Sequence, residues 1–450
     1  MAYAERRGKT WRARYKEPDG TWGSESGFPT KTAALAYGRE QESRIRRGDW
    51  TDPKAGQITL ADFIEQKYLQ ALDGAPNTVA RHESHIGRHI LPKWGRWQLG
   101  ELVMAHVEIK AWLKDLRQEY KATTVASIFQ VLTAIMDTAV EARLIPASPC
   151  RSIKLKLDGY ETSRGLVATP VQVLRAAMRL HRIRHRIRRQ GGLTELVLCL
   201  MAFYTGARWG ELVGQTRDEY DQVNKAIWVV EPLKEVSGRL SKGGRPLDAP
   251  PSTPRKRPAR DGGTKTPAGT RWIHLPDWLA ALYEELLASH QHRFVFVGPL
   301  GGMMYRTSYR AVWRRVWDGD PGNQDPAFHA PILPGLTFHE SRHTLRTWLA
   351  EDGIPEVARA ARLGHKLPGV ADVYEHVTPA MIGRTLRCLT RRWHQSIRDL
   401  RPDERELLVT LVPSLAGEVE RAMSARRRRG GETISQISPM QVGRRPVVSA

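Results

Sequence analysis

The densest group of chemically active side chains in this 450-residue chain lies at residues 339–343, which read HESRH. The string matches H-E-x-x-H, in which two histidines one helical turn apart bind zinc and the glutamate activates a water molecule. The same five residues include Arg342, and a guanidinium can bind a phosphate through two parallel hydrogen bonds. The sequence therefore presents two chemistries here: zinc-dependent peptide hydrolysis and a reaction at a phosphate.

A helix over residues 338–350 would present these side chains on different faces. At about 100° per residue, one side carries the apolar residues that face the core, namely Phe338, Leu345 and Leu349, with Trp348 nearby. Arg342 is expected at the edge of that apolar face, with His339 and His343 further round the helix. An arginine at such an edge is costly unless it meets an anion, and this favours phosphate chemistry.

The longer form of the zinc motif does not match this chain. It would need glycine at position 346 and histidine at position 349, where the sequence has Arg346 and Leu349. Another ligand could be proposed only from glutamates that lie in no supporting motif, namely Glu351, Glu356 and Glu375. The zinc interpretation therefore rests on the five-residue match alone.

The charge of the chain also favours an anionic partner. Lys and Arg number 70 against 48 Asp and Glu, a formal net charge of +22 at pH 7, and such an excess is typical of nucleic-acid binding. Three cysteines without a CxxC pair exclude a disulfide framework and a cysteine-based zinc module. The N-terminus has no apolar signal segment, and the longest apolar run, Leu196–Tyr204, is too short to cross a membrane. We expect a cytoplasmic protein without a membrane partner.

Changes in composition and periodicity predict three domains and a tail. Their boundaries are residues 1–50, 58–155, 160–395 and 396–450. The first domain is predicted to be a small β-sheet with a helix, the second to be helical and the third to be mixed α/β, so the fold class is mainly α with small β elements. The tail ends in an arginine-rich stretch of low hydrophobicity and is expected to be partly disordered.

The first predicted domain contains a strand with a basic face. Basic side chains alternate with apolar ones in TWRARYK: Arg12, Arg14 and Lys16 against Trp11, Ala13 and Tyr15. This period of two is typical of a half-buried strand. A turn at Asp19-Gly20 and a helix from Thr32 to Arg47 are predicted to follow. Two interpretations stay open: the basic residues contact DNA, or they form the solvated face of a small capping domain.

The second and third domains contain further predicted elements. Helical patterns in the second domain cover Leu60–Leu72, Asn77–Leu91, Met104–Tyr120 and Thr123–Leu144. The last has a stripe of apolar residues at three- and four-residue spacing: Val125, Ile128, Val131, Leu132, Ile135 and Met136. The third domain is predicted to contain a helix start at Thr169-Pro170, an apolar helix at Leu193–Tyr204, a strand at 226–232, a long mobile loop at 236–263 and a hairpin within 264–276. A further helix is expected at 403–422.

Four motifs give the chain a resemblance to a known family. His339 and Arg342 form H-x-x-R, which is followed by LGH at 363–365 and YEH at 374–376, and preceded by YTGARWGEL at 204–212. In this order and spacing, the motifs resemble those of the tyrosine recombinase (phage integrase) family. The resemblance covers about residues 5–390, and the first two domains resemble integrase arm-binding and core-binding domains by pattern.

The resemblance implies a set of site residues and a reaction. The implied catalytic residues are Arg208, Lys265, His339, Arg342, His365 and Tyr374. Glu211 and His343 would support them. Tyr374 would attack a DNA phosphate and form a covalent 3′-phosphotyrosine, while the two arginines stabilise the charge and Lys265 protonates the leaving oxygen. No metal or cofactor is implied.

The lysine assignment rests on the turn and strand that follow it. Lys265 precedes the segment TPAGTRWIHLP and matches the family's hairpin lysine, but Lys242 and Lys256 are also near in sequence. We prefer Lys265. Glu340 and Ser341 stand where the family often has Asp and Leu, at positions that are not catalytic in the family.

The resemblance also implies a biological function and partners. The expected function is site-specific recombination that integrates or excises a mobile element. The substrate would be double-stranded DNA attachment sites, bound by a dimer on each site and a tetramer in the synapse. A host DNA-bending factor and an excisionase are further expected partners. Two alternatives come from other classes: a non-catalytic DNA-binding protein of the same fold, and the zinc peptidase.

Overall fold

The computed structural model contains two compact units, Met1–Glu161 and Thr162–Ala450. The residues that it describes are 1–48, 50, 55–155, 165–183, 192–236, 238–243, 245–247, 269–298, 301–366 and 377–429. Within these residues helices predominate, and three small three-stranded sheets accompany them. The expected fold class, mainly α with small β elements, is therefore confirmed.

The N-terminal residues form an antiparallel sheet with one helix. Its elements, in chain order, are β1 (Tyr3–Arg7), β2 (Thr10–Lys16), β3 (Trp22–Phe28) and α1 (Lys31–Arg47). Ala13 and Tyr15 on β2 are buried, whereas Lys16 is exposed, so the predicted alternation is confirmed. The predicted turn is also present, because Gly20 adopts φ +86° and its N–H donates to the carbonyl of Glu17.

Seven helices and two wide π-helical turns follow in the described part of the first unit. The helices are α2 (Leu60–Phe63), α3 (Leu69–Ala71), α4 (Pro76–His85), α5 (Leu91–Trp94), α6 (Leu99–Met104), α7 (His106–Glu119) and α8 (Ala122–Glu141). The turns Ile64–Tyr68 and Ile86–Ile90 join α2 to α3 and α4 to α5. By length and composition α8 could cross a membrane, but its predicted apolar stripe is buried in the core that the other helices share. Such packing is typical of the central helix of a globular domain.

The second unit is built around one largely apolar helix that is almost wholly buried. Its helices are α9 (Pro170–Arg182), α10 (Leu193–Thr205), α11 (Trp209–Val213), α12 (Asp277–Ala288), α13 (Arg306–Asp318), α14 (Glu340–Glu351), α15 (Glu356–Leu363), α16 (Pro379–Arg398), α17 (Pro402–Leu411) and α18 (Ala416–Arg429). Helix α10 is buried from Glu195 to Thr205. The predicted start of α9 is confirmed, because the hydroxyl of Thr169 accepts from the N–H of Gln172 at 3.4 Å.

Two small sheets lie in the second unit. Their strands are β4 (Tyr220–Asp221), β5 (Ala226–Val229), β6 (Lys234–Val236), β7 (Arg239–Lys242), β8 (Arg245–Pro246) and β9 (Arg271–His274). The first sheet has the order β4-β5-β9 and the second β6-β7-β8. In the first sheet Ile227 pairs with Ile273, and both are buried against the helices.

The prediction of a mobile loop at 236–263 is wrong for the first part of this segment. Strands β7 and β8 occupy residues 239–242 and 245–246, and Leu240 on β7 is buried in the hydrophobic core. These strands have two to four residues, too few for the alternation that predicts a strand from sequence. Residues 248–268 lie outside the described part of the chain.

The compact unit continues past the predicted boundary after residue 395. That boundary falls inside α16. The single helix predicted at 403–422 is divided in the structure into α17 and α18 by a 3-10 turn at Pro413–Leu415. Arg175 on α9 forms an ion pair with Glu404 at 2.8 Å, and His394 on α16 lies 3.0 Å from Glu418. Leu408 belongs to the same hydrophobic core as α10. Residues 402–422 are therefore part of the folded unit.

Candidate active site

Gly206, which adopts the left-handed backbone conformation, sets the position of the first arginine motif. Helix α10 ends at Gly206, where φ is +66°. A Cβ at this position would lie only 2.6 Å from Leu363 Cδ2 and 2.9 Å from Leu345 Cδ2, so the turn has room only for glycine. The chain then reverses, and Arg208 becomes the residue that precedes α11.

Glu211 fixes both the backbone and the side chain of Arg208. Its Oε2 accepts from the Arg208 N–H at 2.9 Å, and its Oε1 accepts from Nη1 of the same residue at 2.7 Å. The side chain of Glu211 is 3% exposed and that of Arg208 is 43% exposed. One edge of the Arg208 guanidinium is therefore held by Glu211, and the other edge is exposed to solvent. The supporting role expected of Glu211 fits this geometry.

Arg342 is buried in the core and does not lie at the edge of an apolar face, which corrects the expectation from helix periodicity. Only 4% of the residue is exposed. Its Nη1 donates to the carbonyl of Gly206 at 2.8 Å, and its Nη2 donates to the carbonyl of Leu363. Backbone carbonyls at the ends of α10 and α15 thus supply acceptors that a helical wheel cannot show. Burial, followed by the charges of Arg208 and Arg271, lowers the pKa of Arg342 to about 9.

His365 contacts Arg342 directly. Helix α15 ends at Gly364 with φ +66°, and the N–H of His365 then donates to the carbonyl of Ala360 at 2.9 Å. Nη2 of Arg342 lies 2.8 Å from Nε2 of His365. Burial, and then the charges of Arg342 and Arg208, lower the pKa of His365 to about 4. The imidazole is therefore neutral at neutral pH.

His339 completes the group of described site residues. It precedes α14, and its ring meets that of His343 edge to face at a centroid distance of 5.1 Å. Partial desolvation, and then the charges of His343, Arg342 and Arg208, lower the pKa of His339. The electrostatic field of both arginines therefore reaches this ring.

The glutamate of HESRH stabilises the backbone around α14. One oxygen of Glu340 accepts from the N–H of Leu166 at 3.2 Å, and the other accepts from the N–H of Thr337. In the described part of the chain, no three His, Cys, Asp or Glu side chains come together as a possible metal site. Both oxygens of Glu340 thus accept from backbone N–H groups, a structural role that differs from the water-activating role of this glutamate in the zinc motif.

The contacts of Lys242 argue against a role as the general acid. It is 8% exposed, and its Nζ lies 2.6 Å from Oε1 of Glu219, which is 9% exposed. A lysine held in a buried ion pair is not available to protonate a leaving group. Lys256, Lys265 and the nucleophile Tyr374 lie outside the described residues, so their assignment stays a prediction.

Sequence analysis missed two buried arginines behind the site. Arg271 on β9 is 7% exposed and donates to Oε2 of Glu211 at 2.9 Å. Arg362 on α15 donates to the carbonyls of His274 at 3.0 Å and Tyr204 at 2.7 Å. A signal for the first was present, since Arg271 alternates in phase with the apolar Ile273 and had to face the core. An inward arginine requires buried acceptors.

The basic face of the N-terminal sheet is present as predicted. Nε of Arg12 donates to Oγ of Ser26 at 2.9 Å. Arg14 and Lys16 lie 5.9 Å and 6.0 Å from the ring centroid of Trp22, within reach of a cation–π interaction. Contact of these residues with DNA stays a prediction.

Residues 176–381 match the family model described as the phage integrase family. Residues 176–381 therefore form a domain of this tyrosine recombinase family. The recombinase is 22% identical over 380 residues to a tyrosine recombinase XerC-like protein of Caldanaerobacter subterraneus, covering 78% of this chain and 87% of that protein. It is 24% identical over 366 residues to the integrase of Mycobacterium phage D29, covering 78% and 86%.

A solved structure shares the fold of the recombinase. The integrase of the Tn1549 transposon, in complex with transposon right end DNA, superposes with a TM-score of 0.53 at 17% identity. The match covers 73% of this chain and 99% of the transposon integrase. At this level of identity the likeness concerns the fold, and it agrees with the helical and mixed units described above.

Proposed function

We propose that this site-specific recombinase cuts and rejoins DNA with Tyr374 as its nucleophile, to integrate or excise a mobile element. One observation carries the proposal: Arg208, Arg342 and His365, distant in sequence, converge through the carbonyls of Gly206 and Leu363 and the Arg342–His365 contact. Two arginines and a neutral imidazole at one point suit a phosphate that gains negative charge during reaction.

The first step is an in-line displacement at the scissile phosphate. The oxygen of Tyr374 forms a bond to phosphorus, the bond to the 5′-oxygen breaks, and that oxygen takes a proton from Lys265. In the second step the 5′-hydroxyl of a partner strand attacks the phosphotyrosine and releases the tyrosine. One phosphodiester is exchanged for another, so no nucleotide hydrolysis is needed.

The described residues have distinct roles in this displacement. The Nη groups of Arg342 donate to the carbonyls of Gly206 and Leu363 and to His365. A guanidinium has five N–H donors. The donors that remain can bind a nonbridging oxygen of the phosphate. Arg208 supplies the second clamp from its exposed edge. Because Nε2 of His365 accepts from Arg342, its Nδ1 carries the proton and can donate to the phosphate. His339 is proposed to contact the phosphate and to help move the tyrosine proton.

The proposed substrate is double-stranded DNA carrying attachment sites. The strongly basic chain and the Tn1549 integrase, which was solved with DNA, both support this partner. We further propose a dimer on each site, a tetramer in the synapse, and assistance by a host DNA-bending factor and an excisionase. We propose that the recombinase acts on DNA in the cytoplasm.

Trapping on a nicked suicide substrate tests the nucleophile. The wild-type recombinase should form a covalent protein–DNA complex that survives denaturation, and Tyr374→Phe should form none while still binding the DNA. Tyr220→Phe is the matched control, since this tyrosine hydroxyl donates to Glu284 at 2.7 Å and contacts none of the described site residues. Equal trapping by the wild type and Tyr374→Phe would overturn the assignment. Binding without any trapping by the wild type would support the non-catalytic alternative.

A further inference from the structure

A buried charge triad lies directly behind the phosphate clamp. Glu211 is 3% exposed and has a cation on each carboxylate oxygen, with Arg208 Nη1 at 2.7 Å from Oε1 and Arg271 Nη2 at 2.9 Å from Oε2. Burial raises the pKa of Glu211, but Arg271 and Arg208 outweigh burial and hold this pKa below its usual value. The carboxylate is therefore charged, and the triad carries a net charge of +1.

Arg271 joins three parts of the site through one guanidinium. Besides Glu211, its Nε donates to the carbonyl of Arg362 at 2.8 Å and its Nη1 donates to the carbonyl of Gly269 at 2.7 Å. Glu211 belongs to the helix that follows Arg208, whereas Arg362 lies three residues before His365. Gly269 lies on the connection that leads from Lys265 into β9.

The two cations on Glu211 differ in their surroundings. Arg271 is 7% exposed and donates to three separate acceptors within the protein. Arg208 is 43% exposed, and in the described residues its side chain donates to Glu211 alone. Arg271 is thus a fixed internal counter-ion, while the outer face of Arg208 stays open to a ligand.

We propose that Arg271 is a positioning residue for the cleavage reaction, which neutralises Glu211 so that the charge of Arg208 stays available to the scissile phosphate. Without Arg271, the buried carboxylate has Arg208 as its remaining partner. An unpaired buried carboxylate is costly, so Arg208 would be held as the counter-ion of Glu211 and its attraction for a second anion would fall. This inference rests on the proposed function and adds a residue that does not touch the DNA.

Cleavage of two suicide substrates under single-turnover conditions tests this role. One substrate has a normal scissile phosphodiester; in the other a methyl group replaces a nonbridging oxygen, so the scissile group is uncharged. Arg271→Met should slow cleavage of the normal substrate by about 10²-fold, the size of effect seen when one charge-stabilising donor is lost. On the uncharged substrate, Arg271→Met should cleave within a few-fold of the wild-type rate, because an uncharged phosphorus centre needs no cationic clamp. Equal slowing on both substrates would overturn the proposal and indicate a purely structural role.

A double variant tests the electrostatic part of the argument. Glu211→Gln combined with Arg271→Met removes both buried charges and frees Arg208 from its counter-ion. We expect the double variant to cleave the normal substrate at least several-fold faster than Arg271→Met alone. If the double variant is as slow as the single one, the proposed neutralisation is wrong.

A matched arginine controls for damage to the fold. Arg217 also donates to two backbone carbonyls, those of His290 and Leu287, both at 2.9 Å, away from the clamp. The ratio of the cleavage rates on the normal and the uncharged substrate should be the same for Arg217→Met as for the wild type. If Arg271→Met does not fold, Arg271→Lys keeps the positive charge beside Glu211 and should therefore cleave the normal substrate within a few-fold of the wild-type rate, whereas a defect as large as that expected for Arg271→Met would overturn the proposed neutralisation. Failure of the wild type to cleave would instead contradict the proposed function itself.

Discussion

Arg342 lies 2.8 Å from His365, and its Nη2 points to Nε2 of the imidazole ring. Because a guanidinium can only donate, Nε2 must be an acceptor, and the proton of the neutral ring lies on Nδ1. The pKa of about 4, which follows from burial and the nearby arginines, agrees with a neutral ring. One contact thus sets both the position and the tautomer of the histidine that we propose as a donor to the phosphate.

Replacement of Arg342 by lysine should affect stability and cleavage together. A single ammonium at this position cannot reach the carbonyls of Gly206 and Leu363 and the ring of His365 in the planar geometry of a guanidinium. Each buried acceptor left unpaired costs about 1–3 kcal/mol. We expect Arg342→Lys to lower the melting temperature and to slow single-turnover cleavage by at least about 10²-fold.

Arg346 on the same helix provides the control for this substitution. Its side chain is 52% exposed and forms a surface ion pair with Glu356 at 3.3 Å, and such pairs contribute little. Arg346→Lys should therefore melt and cleave like the wild type. A melting temperature of Arg342→Lys equal to that of Arg346→Lys would contradict the buried hydrogen bonds described here.

The choice between two lysines can be tested with a modified leaving group. If Lys265 protonates the 5′-oxygen, Lys265→Ala should cleave a normal substrate slowly but cleave a substrate with sulfur at that bridging position at nearly the wild-type rate, since a thiolate leaves without protonation. Lys242→Met should instead lose stability, because it leaves Glu219 unpaired in a buried position. Rescue of Lys242→Met by the sulfur substrate would reverse the assignment.

The folded recombinase should lose stability as pH falls below about 6.5. The ordinary pKa of histidine is 6.5, and the pKa of His365 in the folded state is lowered to about 4. In that interval the unfolded chain binds a proton that the folded chain does not, so the free energy of unfolding decreases with decreasing pH. Melting temperatures measured from pH 7 to pH 4 should show this slope.

Replacing His365 should remove part of the slope. His365→Gln cannot take up the proton in either state, so its melting temperature should depend less on pH than that of the wild type. His329 is exposed and lies in the loop before α14, and His329→Gln provides the control substitution. An unchanged slope in His365→Gln would show that this histidine is not desolvated as described.

The basic face of β2 should contribute phosphate contacts if the N-terminal sheet binds DNA. Replacing Arg12, Arg14 and Lys16 by alanine should then weaken binding and reduce the dependence of the logarithm of affinity on the logarithm of salt concentration by about 0.9 per lost contact. Fluorescence anisotropy at several salt concentrations measures this slope. An unchanged slope would favour the alternative, a capping domain with a solvated face.

The sequence alone selected the candidate site residues by the order of their motifs, and it predicted the elements with strong periodicity. His339, Arg342 and Arg208 could be selected because their motifs are local and lie in a recognisable order. The stripe on α8 and the alternation on β2 are confirmed for the same reason, since each depends on residues near one another in the chain.

Only the tertiary structure decided how these residues are held. The burial of Arg342 depends on carbonyls at the ends of α10 and α15, and the charge state of Glu211 depends on Arg271, which lies 60 residues further along the chain. Lys242 resembled a candidate acid until its ion pair with Glu219 was seen. A sequence pattern reports the spacing of side chains along one element, whereas desolvation and charge pairing depend on which distant elements pack together.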